Sequence, residues 1–76
     1  MKTIYKEKYQ KIIQCLISTR KKQGITQQQI ANKLNKPQSY IAKIERCERK
    51  LDILEFIELC EAMNTSPITI LQKFVN

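Results

Sequence analysis

Three polar side chains near the middle of the chain could form directional hydrogen bonds with a ligand. Gln38, Ser39 and Lys43 fall on one side of a predicted helix, with the small Ala42 beside them. A primary amide can donate to and accept from adenine at once, a hydroxyl can bond a base edge or a phosphate, and an ammonium can reach guanine or a phosphate. This combination predicts a helix that reads base edges in a DNA major groove.

The sequence contains no motif that indicates catalysis or metal binding. The chain has no histidine, no glycine-rich phosphate loop and no nucleophile elbow, and no pair of carboxylates lies outside the predicted helix-capping and ion-pairing positions. Its three cysteines, Cys15, Cys47 and Cys60, lack the spacing of a zinc site or a disulfide framework. We therefore predict no enzyme activity, no metal and no cofactor, and we expect Cys60 to be a small buried apolar residue.

Two short helices separated by a tight turn carry the polar face. Thr26 and Gln29 have the spacing of a capping box, so the first of the two is predicted to begin there, and Asn35 is suited to end it in a left-handed conformation. Pro37 is suited to the first turn of the second, predicted over 37–46. The apolar residues that face inward from this pair are Ile30, Ala31, Leu34, Ile41 and Ile44.

Further amphipathic segments flank this pair. One is predicted from about residue 5 to residue 22 and is closed by Gly24. Another begins where Asp52 and Glu55 form a second capping box, and it ends near Asn64. The residues predicted to form its buried stripe are Ile53, Phe56, Leu59, Cys60 and Met63. No strand pattern competes, so the sequence predicts an all-α protein with short connections.

A fifth helix, predicted over 67–75, follows the start signal of Ser66 and Pro67. It is too short to point all of its apolar side chains into one core. A second copy of the chain could cover the remainder, and the residues predicted to form this dimer interface are Ile68, Leu71, Phe74 and Val75. The alternative is that the segment caps its own core.

Charge is distributed unevenly along the chain. There are 14 basic and 7 acidic residues, a net charge of +7. Residues 1–50 hold 13 basic and 3 acidic side chains (+10), whereas residues 51–76 hold 1 and 4 (−3). The length predicts a single domain, 1–76, and a polyanion is the natural partner of its basic part. No apolar run approaches the length of a membrane span, so we predict no membrane partner. Because the three cysteines do not indicate a disulfide framework, we predict a cytoplasmic location.

The segment from Gly24 to Arg46 resembles the phage-repressor and Cro-type, or lambda-repressor-like, helix-turn-helix family. The matching residues are Gly24, Ile25, Thr26, Gln27, Ile30, Ala31, Leu34, Gln38, Ser39, Tyr40, Ile41, Ile44, Glu45 and Arg46. The resemblance implies a five-helix bundle with a helix-turn-helix at about 26–46, whose second helix, the recognition helix 37–46, lies in the major groove. It also implies a stand-alone transcriptional regulator of repressor or controller type that binds a palindromic operator as a homodimer.

The resemblance implies a role for individual residues as well. Bases of double-stranded DNA would be contacted by Gln38, Ser39 and Lys43. The residues expected to contact the DNA backbone are Gln27, Gln28, Tyr40, Arg46, Arg49 and Lys50. For Tyr40, packing between helices is an equal alternative. Arg20 and Glu45 are expected to form an ion pair that joins the first helix to the recognition helix.

Two positions depart from the family pattern. Pro37 stands where a serine or threonine usually caps the recognition helix, so that helix is expected to lack a side-chain cap. Cys47 stands where a glycine usually follows, and a side chain disfavours the left-handed conformation. We therefore expect the recognition helix to end differently or to run on a little.

A second class of function stays open at this point. An antitoxin-like module would use the acidic and apolar C-terminal part to bind another protein, and the resemblance allows RNA polymerase or a toxin as that partner. Binding of a membrane surface through the basic first helix is a weaker alternative, because the apolar face of that helix is needed for the core. For a DNA-binding regulator the expected location is the nucleoid.

Overall fold

Residues 6–75 form five α-helices joined by short connections. The computed structural model describes residues 6–75, and no strand occurs among them. The helices are α1 (Glu7–Lys22), α2 (Gln27–Lys33), α3 (Gln38–Glu45), α4 (Ile53–Ala62) and α5 (Pro67–Leu71). The predicted all-α, five-helix class is confirmed. The predicted start of the first helix, at residue 5, lies outside the described residues.

Three helices begin at side-chain caps that the sequence predicts. The Thr26 hydroxyl accepts a hydrogen bond from the Gln29 N–H at 3.1 Å, and the Gln29 side chain accepts one from the Thr26 N–H at 2.8 Å. Asp52 and Glu55 form the same reciprocal pair at the start of α4, at 2.7 and 3.0 Å. Ser66 caps α5. Since each cap satisfies backbone N–H groups that a helix leaves unpaired, these starts are fixed locally.

The first four helices end in one shared backbone motif. The residue after each C-cap is left-handed, with φ of +69° at Gly24, +56° at Asn35, +58° at Cys47 and +52° at Asn64. In every case its N–H bonds to the third residue back, and the next N–H bonds to the fifth residue back. This is the Schellman arrangement, which satisfies the last carbonyls of a helix within a single tight turn.

The expectation that the recognition helix ends differently because of Cys47 is wrong. The Cys47 N–H donates to the Ile44 carbonyl at 3.0 Å, and the Glu48 N–H donates to the Lys43 carbonyl at 2.8 Å. These bonds, together with packing of Cys47 against the core, hold a non-glycine residue in the left-handed region. The helix therefore stops at Glu45, as it would with glycine at this position.

Two predicted boundaries differ from the structure. The recognition helix, predicted over 37–46, is shorter at both ends, because Pro37 has the extended ψ of 154° of an N-cap residue. The fifth helix, predicted over 67–75, ends at Leu71, and the chain then continues in turns.

A single core fills the space between the helices. The buried apolar residues are Ile13, Leu16, Ile30, Ala31, Ile41, Ile44, Phe56, Leu59, Cys60, Ala62, Met63 and Ile70. The predicted burial of Cys60 is confirmed, and burial raises the pKa of its thiol to about 11. Because all five helices contribute to this core, α3 packs on a scaffold made by the rest of the chain.

The prediction that Ile53 is buried is wrong. Ile53 is 71% exposed and its neighbour Leu54 is 61% exposed. Ile53 does lie on the apolar side of α4, where it lines a groove between α1, α4 and α5, but no described residue covers it there. In α5 the structure buries only Ile70, and Ile68 stays 66% exposed.

None of the helices among residues 6–75 combines the length and the hydropathy that a membrane crossing requires.

Candidate nucleic-acid interface

The recognition helix α3 has one fully buried side and one exposed side. Ile41 and Ile44 are each only 1% exposed and pack into the core. Gln38, Ser39 and Lys43 are exposed on the other side, as the sequence predicts. Neither Ser39 nor Lys43 forms a side-chain hydrogen bond or ion pair with another residue in the range 6–75. The side chains predicted to read bases are therefore available to a ligand.

The start of α3 has no side-chain cap. Pro37 occupies the N-cap position and offers only its carbonyl, which accepts from the Tyr40 N–H at 3.0 Å. As the sequence predicts, no side chain caps the start of α3. Since the first N–H groups of a helix need acceptors, this end of α3 favours an external acceptor such as a phosphate oxygen or a water molecule.

Two glutamines connect α2 to both ends of α3. The Gln38 amide donates from Nε2 to Gln27 Oε1 at 2.8 Å, and Gln27 donates from its own Nε2 to Glu45 Oε1 at 2.7 Å. These two bonds orient the Gln27 amide, because its oxygen accepts and its nitrogen donates. Gln38 keeps one amide N–H and its carbonyl oxygen for another partner.

The ion pair implied by the resemblance is present between α1 and α3. Arg20 Nε lies 2.7 Å from Glu45 Oε2, and Nη2 donates to Oε1 at 3.0 Å, so the pair is bidentate. The remaining terminal nitrogen of Arg20 donates to the Ile25 carbonyl at 2.9 Å. The side chains of Arg20 and Glu45 are 11% and 13% exposed. Together with Gln27, this buried pair anchors α3 to both neighbouring helices.

A second polar cluster joins α3 to α4. The Tyr40 hydroxyl donates to Glu55 Oε2 at 3.1 Å, and Arg49 Nη2 lies 2.8 Å from the same oxygen. Hydrogen bonds from Arg49 and from the Asp52 N–H lower the pKa of the Glu55 carboxyl to about 2. Burial, followed by the bond to Glu55, raises the pKa of the Tyr40 hydroxyl. Tyr40 therefore packs between helices, which is one of its two predicted roles.

The other residues predicted to contact a nucleic-acid backbone occupy varied surroundings. Gln28 is exposed and donates to Asn32 Oδ1 at 2.8 Å. Arg46 is exposed and pairs with Glu48, Nε to Oε2, at 2.9 Å. Lys50 is exposed and has no ion pair within residues 6–75.

Sequence reasoning missed the acidic partners, Glu48 and Glu55, that hold two of the predicted cations. Glu48 lies two residues from Arg46, a short spacing that could have indicated the first pair. The pairing of Arg49 with Glu55 depends on how the loop before α4 folds back, which no local pattern encodes.

Within residues 6–75, the large apolar residues that are exposed lie on α4, on α5 and in the segment after α5. Ile53, Leu54, Ile68 and Val75 are each more than 60% exposed. Beside Ile53 lies an open groove whose walls are Tyr9, Ile12, Ile13, Leu51, Phe56 and Leu71. Sequence reasoning missed Leu54, which lies outside the predicted apolar stripe of α4.

Comparison with known proteins identifies the family. Residues 16–70 match the helix-turn-helix family HTH_3, a stretch that includes all of α2, α3 and α4. The chain belongs to this family. A solved structure described as an XRE-family like protein from Pseudomonas syringae pv. tomato str. DC3000 is 39% identical, with a TM-score of 0.89. That match covers 95% of this chain and 88% of the other. No curated protein sequence matches.

Membership in this XRE or lambda-repressor-like family makes the chain a DNA-binding transcription regulator by class. The matched stretch contains the Arg20–Glu45 pair, the two bonded glutamines and the exposed side of α3. The family is one of DNA-binding regulators and not of enzymes.

Proposed function

We propose that this helix-turn-helix protein is a sequence-specific transcriptional regulator, of repressor or controller type, that inserts α3 into the major groove of operator DNA. One observation carries the proposal. The exposed side of α3 presents Gln38, Ser39 and Lys43, while its opposite side is buried and tied to α1 and α2. A rigid helix whose exposed side chains keep unused hydrogen-bond donors and acceptors is what base reading requires.

Base reading is assigned to the three exposed side chains of α3. Gln38 keeps an N–H and an oxygen beyond its bond to Gln27, which is enough for a bidentate contact with adenine. Ser39 supplies a hydroxyl that accepts or donates and therefore discriminates weakly. Lys43 lies one turn further along α3 and reaches guanine or a neighbouring phosphate.

Backbone contacts are assigned to residues on both sides of α3. An open depression beside the first turn of α2 is lined by Arg20, Lys21, Thr26, Gln27 and Gln28 among others, and a phosphate could occupy it. On the other side, the predicted contacts are Arg46, Arg49 and Lys50, whereas Tyr40 packs between helices with its hydroxyl bonded to Glu55. Such contacts fix the register of the protein on DNA without reading sequence.

We further propose that two copies of the chain bind one palindromic operator. Ile68 and Val75, together with the partly buried Leu71 and Phe74, form the proposed interface, and the exposed Ile53 and Leu54 extend it. A twofold dimer covers this apolar surface and sets two recognition helices about 34 Å apart, which matches one turn of DNA. A regulator of this kind acts in the cytoplasm, at the nucleoid.

Selection of bound sequences from a random pool of DNA duplexes tests this proposal. A consensus made of two inverted half-sites with centres about 10 base pairs apart is the expected result. Recovery of unenriched sequences would contradict sequence-specific binding. A single, asymmetric half-site would contradict the dimer while leaving base reading by α3 intact.

One observation favours a second candidate, an antitoxin-like module that binds another protein such as a toxin or RNA polymerase. The exposed apolar residues Ile53, Leu54, Ile68 and Val75 all belong to the acidic part of the sequence, residues 51–76. The salt dependence of binding separates the two candidates. If a dimer neutralises about eight phosphates, log affinity falls with log salt at a slope near −7, whereas a protein interface responds weakly.

A further inference from the structure

Tyr40 contacts three separate segments around the recognition helix. Its hydroxyl donates to Glu55 on α4 at 3.1 Å. Its ring centroid lies 5.2 Å from Lys36 Nζ, in the α2–α3 turn, and 4.8 Å from Arg49 Cζ, in the α3–α4 loop. The half-buried Tyr40 ring therefore contacts one cation from each of the two connections that flank α3.

The Arg49 guanidinium is fixed by several partners and still has donors to spare. Nη1 donates to Glu55 Oε1 at 3.0 Å and to the Lys50 carbonyl at 3.3 Å, and Nη2 lies 2.8 Å from Glu55 Oε2. These contacts use at most three of its five N–H groups. Arg49 can therefore bind a phosphate without leaving Glu55.

The Lys36 ammonium has fewer partners than the Arg49 guanidinium. Lys36 is exposed, and its side chain forms no hydrogen bond or ion pair within residues 6–75. Its contact with the Tyr40 ring restricts the position of the ammonium without occupying any of its three N–H donors.

We infer that Tyr40 is a positioning residue, which holds Lys36 and Arg49 ready to bind phosphates of DNA beside α3. The inference rests on the proposed function and goes beyond it by naming Lys36 and by assigning Tyr40 an indirect role. A long basic side chain loses conformational freedom when it binds a phosphate, and a side chain that is already ordered loses less. The ring of Tyr40 orders the two basic side chains, and the Tyr40 hydroxyl contributes by fixing the ring against Glu55.

Two substitutions of Tyr40 separate the ring from the hydroxyl. Tyr40→Phe keeps the ring and removes the bond to Glu55, and Tyr40→Leu removes both. Proton NMR of the free protein reports the contact directly, because methylene protons of Lys36 and Arg49 near the ring face shift upfield. We expect this upfield shift in the wild type and in Tyr40→Phe, and its loss in Tyr40→Leu. Its absence from the wild type would overturn the inference.

Fluorescence anisotropy with a labelled random-sequence duplex of 30 base pairs, at several potassium chloride concentrations, tests the consequence for DNA binding. Each phosphate contact contributes about 0.9 to the slope of log affinity against log salt. Per subunit, Tyr40→Leu should make the slope shallower by about one to two and weaken binding at low salt by roughly tenfold. Tyr40→Phe should stay within about twofold of the wild type. A structural defect alone would lower the active fraction and leave the slope unchanged.

Matched variants keep the test decisive if Tyr40→Leu does not fold. Lys36→Gln and Arg49→Gln should each make the slope shallower by about one per subunit, and the double variant by about two. If the affinity of the wild type for DNA falls steeply with salt and these variants have the same slope as the wild type, the role of Tyr40 is overturned while the proposed function stands. Failure of the wild type to bind any duplex would overturn the proposed function, whereas the NMR result would still report the ring contact.

Discussion

Gln38 on the recognition helix donates a hydrogen bond to Gln27 on α2, with a distance of 2.8 Å from Nε2 to Oε1. Gln27 in turn donates to Glu45, which is bidentate with Arg20. The residue proposed to read a base is therefore the exposed end of a chain of side chains whose other end is buried in the bundle. This connection restricts the Gln38 amide before any DNA is present.

The stability of the protein should depend strongly on the buried ion pair. In Glu45→Gln the Arg20 guanidinium stays buried without its counter-ion, so we expect the free energy of unfolding to fall by about 3 kcal/mol or more. Urea denaturation followed by circular dichroism measures the change. Glu48→Gln, which breaks an exposed pair with Arg46, is the matched control and should leave the midpoint close to that of the wild type. Similar losses in both variants would contradict the special role of the buried pair.

The Glu55 carboxyl should make stability depend on acid pH. Its pKa is lowered from 4.5 to about 2, mainly by the bond from Arg49, so its ionised form is favoured in the folded state. The stabilisation is fully present above about pH 4.5 and is lost as the pH falls towards 2. We expect Glu55→Gln to destabilise the protein by about 1 to 3 kcal/mol at pH 7 and by much less near pH 2.

Urea midpoints at pH 7, 4 and 2.5 check this dependence. Glu61→Gln, which removes an exposed carboxylate that has no hydrogen bond to another described side chain, is the control and should differ little from the wild type at any pH. A constant difference between Glu55→Gln and the wild type over this range would show that ionisation of Glu55 does not stabilise the fold.

The backbone at Cys47 should be strained, and substitution by glycine should relieve that strain. Its φ of +58° disfavours any residue with a Cβ, by about 1 kcal/mol or slightly more. Cys47 also packs against the core, so Cys47→Ala is needed to separate lost packing from relieved strain. We expect Cys47→Gly to be more stable than Cys47→Ala by about 1 kcal/mol in thermal unfolding. Alanine equal to or better than glycine would be evidence against the Schellman turn at this site.

The proposed dimer should dissociate when its exposed apolar surface becomes charged. Ile68 and Ile53 are 66% and 71% exposed, so Ile68→Glu and Ile53→Glu should leave the monomer folded. Phe74 packs against the core, and its substitution would mix effects on folding with effects on assembly. Sedimentation should show a dimer for the wild type and for the control Thr69→Glu, and a monomer for Ile68→Glu. Dimers that survive both apolar substitutions would place the interface elsewhere.

Local spacing was enough to predict most helix starts and ends. Thr26 with Gln29, and Asp52 with Glu55, lie three residues apart, and a capping box depends only on the backbone between its two members. Contacts between helices were harder to predict. The bonds from Gln38 to Gln27 and from Tyr40 to Glu55 join residues 11 and 15 positions apart, and they exist because the helices pack at particular angles.

The sequence pattern also does not predict which residues at the edge of the bundle are buried. The periodicity of α4 places Ile53 on the apolar side correctly, but whether anything covers that side depends on where α1 and α5 lie. At Cys47 the residue type indicates a conformational preference. The hydrogen bonds and core packing that oppose this preference come from the folded chain.

The most direct test of base reading by α3 compares Gln38→Ala with Gln28→Ala on the selected operator and on random duplexes. Both residues are exposed glutamines, but only Gln38 lies on the recognition helix. Gln38→Ala should weaken operator binding by about 1 to 3 kcal/mol, relax the preference at one base position of each half-site and barely affect random duplexes. Gln28→Ala should leave the ratio of operator to random binding unchanged. An equal loss on all sequences for Gln38→Ala would contradict the account.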